Sequence, residues 1–358
     1  MESNANIIKY WRRQPEILRK MLNDSKRLTE KFVTLFSKIR PTHLYLIGSG
    51  TSLNAEEASA FFFKDMLNLD VVTMASSCVS KIRGEKPFII FLSQGGASTN
   101  TLQAMELLQD IPYITVTGEE VCEIASRSKN HMTIGCGEEP VGPKTIGYTA
   151  SIMILYLMAL ETANALGYIK EHEYEEIMKN LYAGIDYMEY NMGHARSWID
   201  ENKEDMMEIN NYLLIGHGVS AISLKEGCLK ILETIKCPAL SFEFEEYLHG
   251  PILSVNDTTG GFLFIAGEGE SRERFLKLAE CQKKYSKNTY VITDNEKEVI
   301  EKTLLIKRTG KAYTEVFETV IVPQLIAATI QALLEIEDGS AIYDEYTAMC
   351  PTKYNNGK

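Results

Sequence analysis

Two short loops that combine glycine with hydroxyl side chains are the first candidates for a binding site. Gly-Ser-Gly-Thr-Ser at residues 48–52 follows one apolar run, and Ser-Gln-Gly-Gly-Ala-Ser at residues 93–98 follows another. A glycine turn between a strand and a helix lets backbone N–H groups converge on an anion at the positive end of the helix dipole. Each loop alone is equally typical of an ordinary helix cap. Since both follow neighbouring strands of one predicted sheet, together they favour a small phosphorylated ligand held by hydroxyls and backbone.

A second candidate lies on a predicted helix in the second half of the chain. Glu226, Lys230 and Glu233 recur at i, i+4 and i+7 and therefore share one face. By pattern alone this is a surface helix with an ion-paired outer face. His249 lies farther along, at a helix end stopped by glycine and proline, and a lone histidine there is more often structural than catalytic. The opposite, apolar face of the helix consists of Leu224, Cys228, Ile231, Leu232 and Ile235.

The elements that must position these residues alternate between strand-length apolar runs and helical stretches. Near-continuous apolar strands between helices predict parallel sheets covered on both faces. Residues 216–220 repeat the pattern of residues 48–52 at an offset of 216 − 48 = 168, so we expect two copies of one α/β unit. Long helices are expected at residues 148–165 and 317–334. The predicted strands are residues 43–47, 71–74, 88–92, 113–116 and 132–134, then 212–215, 239–242, 262–265, 290–292 and 304–306.

This pattern divides the chain into five predicted segments. An N-terminal helical segment covers residues 1–40, and the first α/β domain covers residues 41–170. A charge-rich helical connector at residues 171–208 leads to the second domain at residues 209–340, which is followed by a tail at residues 341–358.

Composition excludes several other classes of function. Lys and Arg number 37 against 49 Asp and Glu, a net charge of −12 without a dense basic run, so no nucleic-acid partner is expected. The N-terminus lacks the apolar region of a signal peptide, and the longest apolar stretch, residues 152–160, is far below the roughly 18 residues of a membrane span. Seven scattered cysteines without a C-x-x-C pair indicate reduced thiols in a cytoplasm and no metal site. Leu53 stands where a dinucleotide loop needs its third glycine, so no cofactor is expected.

The candidate residues resemble the signature of the sugar isomerase (SIS) family. The likeness lies in residues 226–233 (Glu-Gly-Cys-Leu-Lys-Ile-Leu-Glu), residues 246–251 (Glu-Tyr-Leu-His-Gly-Pro) and the two glycine-hydroxyl loops, and it extends over nearly the whole chain. In particular, the sequence resembles the isomerase half of glucosamine-6-phosphate synthase and the fructosamine-6-phosphate deglycases. This resemblance implies two flavodoxin-like SIS units and a homodimer whose active site is completed across the subunit interface.

The resemblance also implies roles for individual residues. Glu233 would move a proton between C1 and C2 of an open-chain sugar phosphate, and His249 would reach in from the partner subunit to assist ring opening. Lys353, in the C-terminal tail, would close the site. Phosphate contacts would map onto Ser52, Ser93, Gln94 and Ser98, with Thr51 near the sugar. The full set of expected substrate-binding residues is Ser49, Gly50, Thr51, Ser52, Ser93, Gln94, Gly95, Ser98, Lys144 and Lys230.

Three departures from the synthase pattern bear on the substrate. Gly95 stands where the synthase has serine, so one phosphate hydroxyl is replaced by backbone or lost. Lys144 lies in Gly-Pro-Lys-Thr, where the synthase has Val-Ala-Ser-Thr, and could meet a phosphate or a carboxylate. The synthase's glutaminase half is lacking, and Glu2 stands where that half has its cysteine, so ammonia from glutamine is not expected.

The expected function is therefore that of a phosphosugar-processing enzyme. The first choice is a cytoplasmic deglycase or deaminase/isomerase acting on an amino-substituted sugar 6-phosphate of the fructosamine 6-phosphate or glucosamine 6-phosphate type. A simple aldose–ketose phosphate isomerase is one alternative, and a non-catalytic phosphosugar-sensing module is another. A regulator should also carry a DNA-binding domain, and residues 1–39 show no helix-turn-helix with a basic recognition helix.

Overall fold

The computed structural model describes residues 2–79 and 81–354, with side chains from Ile7 onward, and these residues fall into two units. The N-terminal unit contains Glu16–Pro140, Ile146–Lys179 and the tail from Gly339. The C-terminal unit contains the chain up to Pro15, the short segment Val141–Thr145 and Asn180–Asp338. The leading helices and the tail are thus parts of these two units.

The N-terminal unit is built on a five-stranded parallel sheet covered by helices. Its strands form where the sequence has near-continuous apolar runs, because both faces of a helix-covered parallel sheet are buried. Strand β3 illustrates this, since every residue after its first is buried. In chain order the elements are α1 (Glu2–Asn23), α2 (Ser25–Ile39), β1 (His43–Gly48), α3 (Thr51–Leu67), β2 (Asp70–Ala75), β3 (Pro87–Ser93), α4 (Thr99–Leu107), β4 (Tyr113–Thr117), α5 (Glu123–Arg127), β5 (His131–Thr133) and α6 (Ile146–Ala165).

The C-terminal unit repeats this plan after one long helix. Its elements are α7 (Glu171–Met207), β6 (Asn211–Gly216), α8 (Val219–Thr234), β7 (Ala239–Glu243), α9 (Phe244–Leu248), β8 (Thr259–Phe264), α10 (Gly269–Gln282), β9 (Thr289–Thr293), β10 (Thr303–Leu305), α11 (Ala312–Thr319) and α12 (Ile321–Leu333). A last helix, α13 (Ala341–Met349), lies in the tail that belongs to the N-terminal unit.

Strand order confirms the predicted repeat. The sheets read β2-β1-β3-β4-β5 and β7-β6-β8-β9-β10, which is one order used twice, and every neighbouring pair is parallel. The turns after the first strand of each unit also match, since Gly50 and Gly218 both have φ +57°. Two covered parallel sheets are therefore the fold, as the sequence predicts.

One predicted helix is wrong in its extent. Instead of a single helix at residues 317–334, the chain forms α11 and α12, which meet at Val320. Pro323 explains the division, because proline lacks the N–H that would donate to the carbonyl four residues earlier and is tolerated only in the first turn of a helix.

Two helical stretches are apolar enough, by length and composition, to cross a membrane. These are Ile146–Ala165 and Ala312–Leu333, and they are longer than the apolar stretch found in the sequence. Their most apolar windows are 100% and 83% buried inside the protein. Both therefore serve as core helices of their units.

Candidate functional site

In the N-terminal unit, the two glycine-hydroxyl loops lie side by side and are hydrogen-bonded to each other. Their strands, β1 and β3, are direct neighbours in the sheet. The Asn100 side-chain amide donates to Ser49 Oγ at 2.8 Å, and the Gln94 backbone N–H donates to Ser52 Oγ at 3.4 Å. The structure thus brings the predicted loop residues together. Asn100 was missed from the sequence, because an asparagine in the first turn of a helix gives no separate signal.

The serines of the second loop face each other. Ser93 Oγ and Ser98 Oγ are 3.3 Å apart, and Ser98 is the N-cap residue of α4. The spacing of the sequence predicts that Ser98 caps the following helix, but its side chain makes no capping hydrogen bond, so that prediction is wrong for the hydroxyl. That hydroxyl is instead directed to the loop.

The C-terminal tail is bound to the same loop through its backbone. Ser98 and Lys353 form an antiparallel β-bridge. The Tyr354 N–H donates to the Ala97 carbonyl at 2.7 Å, and the Thr99 N–H donates to the Thr352 carbonyl at 3.1 Å. Lys353 is therefore held beside the second loop, on the N-terminal unit to which the tail belongs.

The start of α6 forms another side of this loop. A Cβ on Gly147 would lie 1.6 Å from Gln94 Nε2, so the Gln94 side chain rests against the backbone of that glycine. Glu139 accepts hydrogen bonds from the N–H groups of Ile146 and Gly147 at 3.2 and 2.8 Å and thereby caps α6. Lys144 is partly buried in the segment Val141–Thr145, which belongs to the C-terminal unit.

In the C-terminal unit, the acid–lysine stripe of α8 is buried, which corrects the expected surface helix. Glu226 and Lys230 are 0% and 2% exposed. Lys230 Nζ lies 3.1 Å from Glu226 Oε1 and 2.7 Å from Glu233 Oε2. The side chain of Glu233 is 38% exposed, so this carboxylate is the accessible end of a buried ionic network.

Helices α11 and α12, which pack along α8, account for this burial. A Cβ on Gly227 would lie 2.6 Å from Pro323 Cγ, which shows how closely α12 approaches. The polar stripe thus faces protein, whereas Leu232, expected on the buried apolar face, is 46% exposed.

Lys230 is cationic at neutral pH. Burial by itself lowers the pKa of its ammonium, but the charges of Glu226 and Glu233 outweigh burial, and the net pKa is raised. Because Lys230 compensates the buried charge of Glu226, the Glu233 carboxylate is fixed in place and keeps one face toward solvent.

His249 ends a short helix that is anchored at its other end by a carboxylate. Glu243 accepts from the N–H groups of Glu245 and Glu246 and caps the start of α9, while the exposed His249 is the residue at its C-terminal end. His217 Nδ1 lies 3.0 Å from Glu243 Oε1. Sequence reasoning missed this His217–Glu243 pair, because the two residues are 26 positions apart.

The loop of the C-terminal unit that corresponds to the first glycine-hydroxyl loop has different chemistry. Ser220, the counterpart of Ser52, is buried and donates to Glu315 Oε2 at 2.9 Å. The Ser220 hydroxyl therefore donates to a carboxylate, in place of the phosphate that it would need to contact. In the described part of the chain, no group of three or more His, Cys, Asp or Glu side chains could hold a metal ion.

Comparison with known proteins finds phosphosugar enzymes among the proteins similar to this chain. No protein-family model matches the sequence. A glutamine–fructose-6-phosphate aminotransferase (isomerizing) of Fusobacterium nucleatum is 24% identical over 335 residues, which are 88% of this chain and 54% of that protein. The chain spans about half the length of the curated relatives it matches.

Solved structures show the same fold over nearly the whole chain. A proposed phosphosugar isomerase of Clostridium difficile 630 has a TM-score of 0.88 and 26% identity, covering 95% of this chain and 97% of that one. The C-terminal domain of glucosamine-fructose-6-phosphate aminotransferase from Francisella tularensis has a TM-score of 0.77 and 16% identity, covering 91% and 96%.

Proposed function

The chain is a sugar isomerase (SIS) family protein that resembles the isomerase half of glucosamine-6-phosphate synthase, and on this premise we propose that it is a phosphosugar-processing enzyme. Its substrate in this proposal is an amino-substituted sugar 6-phosphate of the fructosamine 6-phosphate or glucosamine 6-phosphate type. The reaction is a deglycase or deaminase/isomerase reaction that begins with proton transfer between C1 and C2. Phosphosugar isomerases and aminotransferases among the similar proteins support an isomerase-type enzyme.

The phosphate group is assigned to the paired loops of the N-terminal unit. Ser52, Ser93 and Ser98 supply hydroxyls, Gln94 and Gly95 supply loop backbone, and the helix dipoles of α3 and α4 favour an anion at this edge of the sheet. In this proposal Ser49, Gly50 and Thr51 lie along the sugar, and Lys144 meets either the phosphate or a carboxylate of the group attached to the amine. The hydrogen bonds that join the two loops support this role, because they hold the donors in one arrangement before a ligand binds.

Proton transfer is assigned to Glu233, and the ionic network on α8 is the observation that carries the proposal. A carboxylate held by a buried lysine yet 38% exposed is suited to take a proton from carbon and to return it to the neighbouring carbon. For an aminoketose, removal of the C1 proton and its return at C2 gives an imine at C1. Addition of one water then yields an aldose 6-phosphate and the free amine.

Two further residues complete the proposed site. His249 assists ring opening and comes from the partner subunit of a homodimer, and Lys353 closes the site from the tail. The exposure of His249 at the end of the anchored helix α9 supports its role, and the backbone bridge to Ser98 supports that of Lys353. The enzyme is placed in the cytoplasm because its seven cysteines are all free.

A substrate panel tests this function. Fructosamine 6-phosphate and glucosamine 6-phosphate are incubated with the protein, and ammonia is measured together with glucose 6-phosphate, the sugar product of the first, and fructose 6-phosphate, the sugar product of the second. We expect product from one of them and none from the unphosphorylated sugars. Turnover of only an aldose–ketose phosphate pair would make the protein a simple isomerase, whereas binding without any turnover would make it a sensor.

A further inference from the structure

A buried carboxyl group lies directly behind the first glycine-hydroxyl loop, and the proposed mechanism does not use it. Glu56, in the second turn of α3, is 0% exposed, and its carboxyl oxygens, which lie near the backbone of Leu92 and Ile47, make no well-formed hydrogen bond. A Cβ on Gly48, the last residue of β1, would lie 2.6 Å from Glu56 Oε2 and 3.1 Å from the Leu92 carbonyl oxygen. The carboxyl group is thus located at the carboxyl ends of both loop-bearing strands.

The internal repeat shows that the fold does not require a carboxyl group at this point. At the offset of 168 residues, Glu56 corresponds to Leu224, which is fully buried in α8. Gly216 corresponds to Gly48, and a Cβ there would lie 3.0 Å from Leu224 Cδ1. The following glycines, Gly50 and Gly218, have the same φ and nearly the same ψ. An apolar side chain therefore supports the same turn.

A carboxylate without well-formed hydrogen bonds is costly to bury, so burial favours the neutral form of Glu56. Burial is the largest effect and raises the pKa of Glu56 well above its usual range. The backbone of Leu92 and of Ile47 lowers this pKa, and the charge of Glu57 raises it further.

The other elements packed against α3 carry few titratable groups. On α6, the Tyr156 hydroxyl donates to the Ala58 carbonyl, and Glu161 accepts from Ser25 and Tyr174. The remaining titratable side chains on these elements are Tyr148 of α6, His43 and Tyr45 of β1, and Asp70 of β2.

We propose that Glu56 is a positioning residue of the phosphate site, and that its neutral carboxyl group permits anion binding at the loops whereas its ionised form opposes it. This inference rests on the proposed assignment of the phosphate to these loops. A neutral carboxyl group adds no charge beneath the N–H groups that an anion needs. A carboxylate beside Gly48, at the beginning of the first glycine-hydroxyl loop, would repel the anion through the protein interior.

Glucose 6-phosphate binding, measured by calorimetry from pH 6 to 9.5, tests this role. Relative to Glu56→Gln, which is always neutral, the wild-type affinity should fall about tenfold as Glu56 loses its proton. Glu57→Gln removes the neighbouring charge that raises the pKa of Glu56, so its affinity should fall at a lower pH than that of the wild type. Glu56→Leu, which installs the residue of the repeat, is a second neutral variant and should follow Glu56→Gln if the latter folds poorly.

The outcomes separate the two proposals. If wild type and the neutral variants bind glucose 6-phosphate with the same pH dependence, the role of Glu56 is overturned while the phosphate assignment stands. If no form of the protein binds glucose 6-phosphate in preference to glucose at any pH, the phosphate assignment is overturned, and the role of Glu56 with it.

Discussion

At the scale of single residues, equivalent serine hydroxyls in the two units have different hydrogen-bond partners. Ser52 and Ser220 are equivalent in the repeat, yet Ser52 Oγ accepts from the other loop and Ser220 Oγ donates to Glu315. The N-terminal unit therefore offers donors to an anion, while the C-terminal unit presents a carboxylate. This difference agrees with the proposal that the phosphate binds at the loops of the N-terminal unit.

Ser93→Ala should weaken sugar phosphates and leave unphosphorylated sugars almost unchanged. Removal of one hydrogen bond from a neutral hydroxyl to a charged group costs about 1.5–3 kcal/mol, or about ten- to a hundredfold in the dissociation constant. Calorimetry with glucose 6-phosphate and with glucose measures this difference. Ser126→Ala, at an exposed position of α5, is the control and should change neither value. Equal loss for both ligands would show that Ser93 is only structural.

At the scale of elements, α8 shows how a polar stripe can be misread from sequence. The spacing of Glu226, Lys230 and Glu233 places them on one face, but spacing does not tell whether solvent or another helix covers that face. Here α11 and α12 cover it, so that Glu226 and Lys230 form a buried ion pair. The free energy of this arrangement depends on both partners, because removing one charge of a buried pair costs the other part of its compensation.

Lys230→Met should destabilise the protein strongly, since it removes the ammonium that lies 3.1 Å from the buried carboxylate of Glu226. The expected loss in the free energy of unfolding is about 3–5 kcal/mol, measured by denaturant unfolding. The double variant Glu226→Gln/Lys230→Met should recover part of this loss. Lys225→Met, at an exposed position of the same helix, should cost little. A Lys230→Met protein as stable as the wild type would contradict the buried network.

Elements with strong periodicity could be predicted, whereas burial between elements could not. Each predicted strand lies within three residues of its observed bounds, because apolar runs between turn residues fix a strand locally. Asn100, Glu56 and the His217–Glu243 pair escaped prediction, since each gains its meaning from a neighbour distant in sequence or from a position behind a loop. The division of α11 from α12 could be predicted only in part. The sequence shows Pro323, which disfavours a continuous helix, but it does not show that Pro323 lies in the first turn of a second helix.

At the scale of the whole molecule, the repeat has one sheet order and two chemistries. The same β–α plan carries a hydroxyl-rich loop in the N-terminal unit and the ionic network of α8 in the C-terminal unit. Because the loop and the ionic network lie in different units, the role proposed for each can be tested by its own substitutions. It also permits the proposed exchange of residues between subunits of a homodimer.

If His249 acts in the partner's site, two inactive variants should complement each other. A mixed dimer of Glu233→Gln and His249→Ala subunits has one site with both lesions and one with neither. Random exchange should therefore restore activity to about one quarter of the wild-type value. Pull-down of differently tagged subunits verifies exchange. Verified exchange without any recovery would place His249 in its own subunit's site and would leave Glu233 unaffected.

The most direct test of the account is hydrogen exchange at the substrate's C1 and C2 in D₂O, followed by proton NMR with whichever sugar 6-phosphate the panel identifies. The wild type should exchange the transferred proton for deuterium. Glu233→Gln should do so about 10²- to 10⁴-fold more slowly while still binding glucose 6-phosphate, because only the base is lost. Exchange by Glu233→Gln at the wild-type rate would contradict the assignment of Glu233 as the proton-transfer residue.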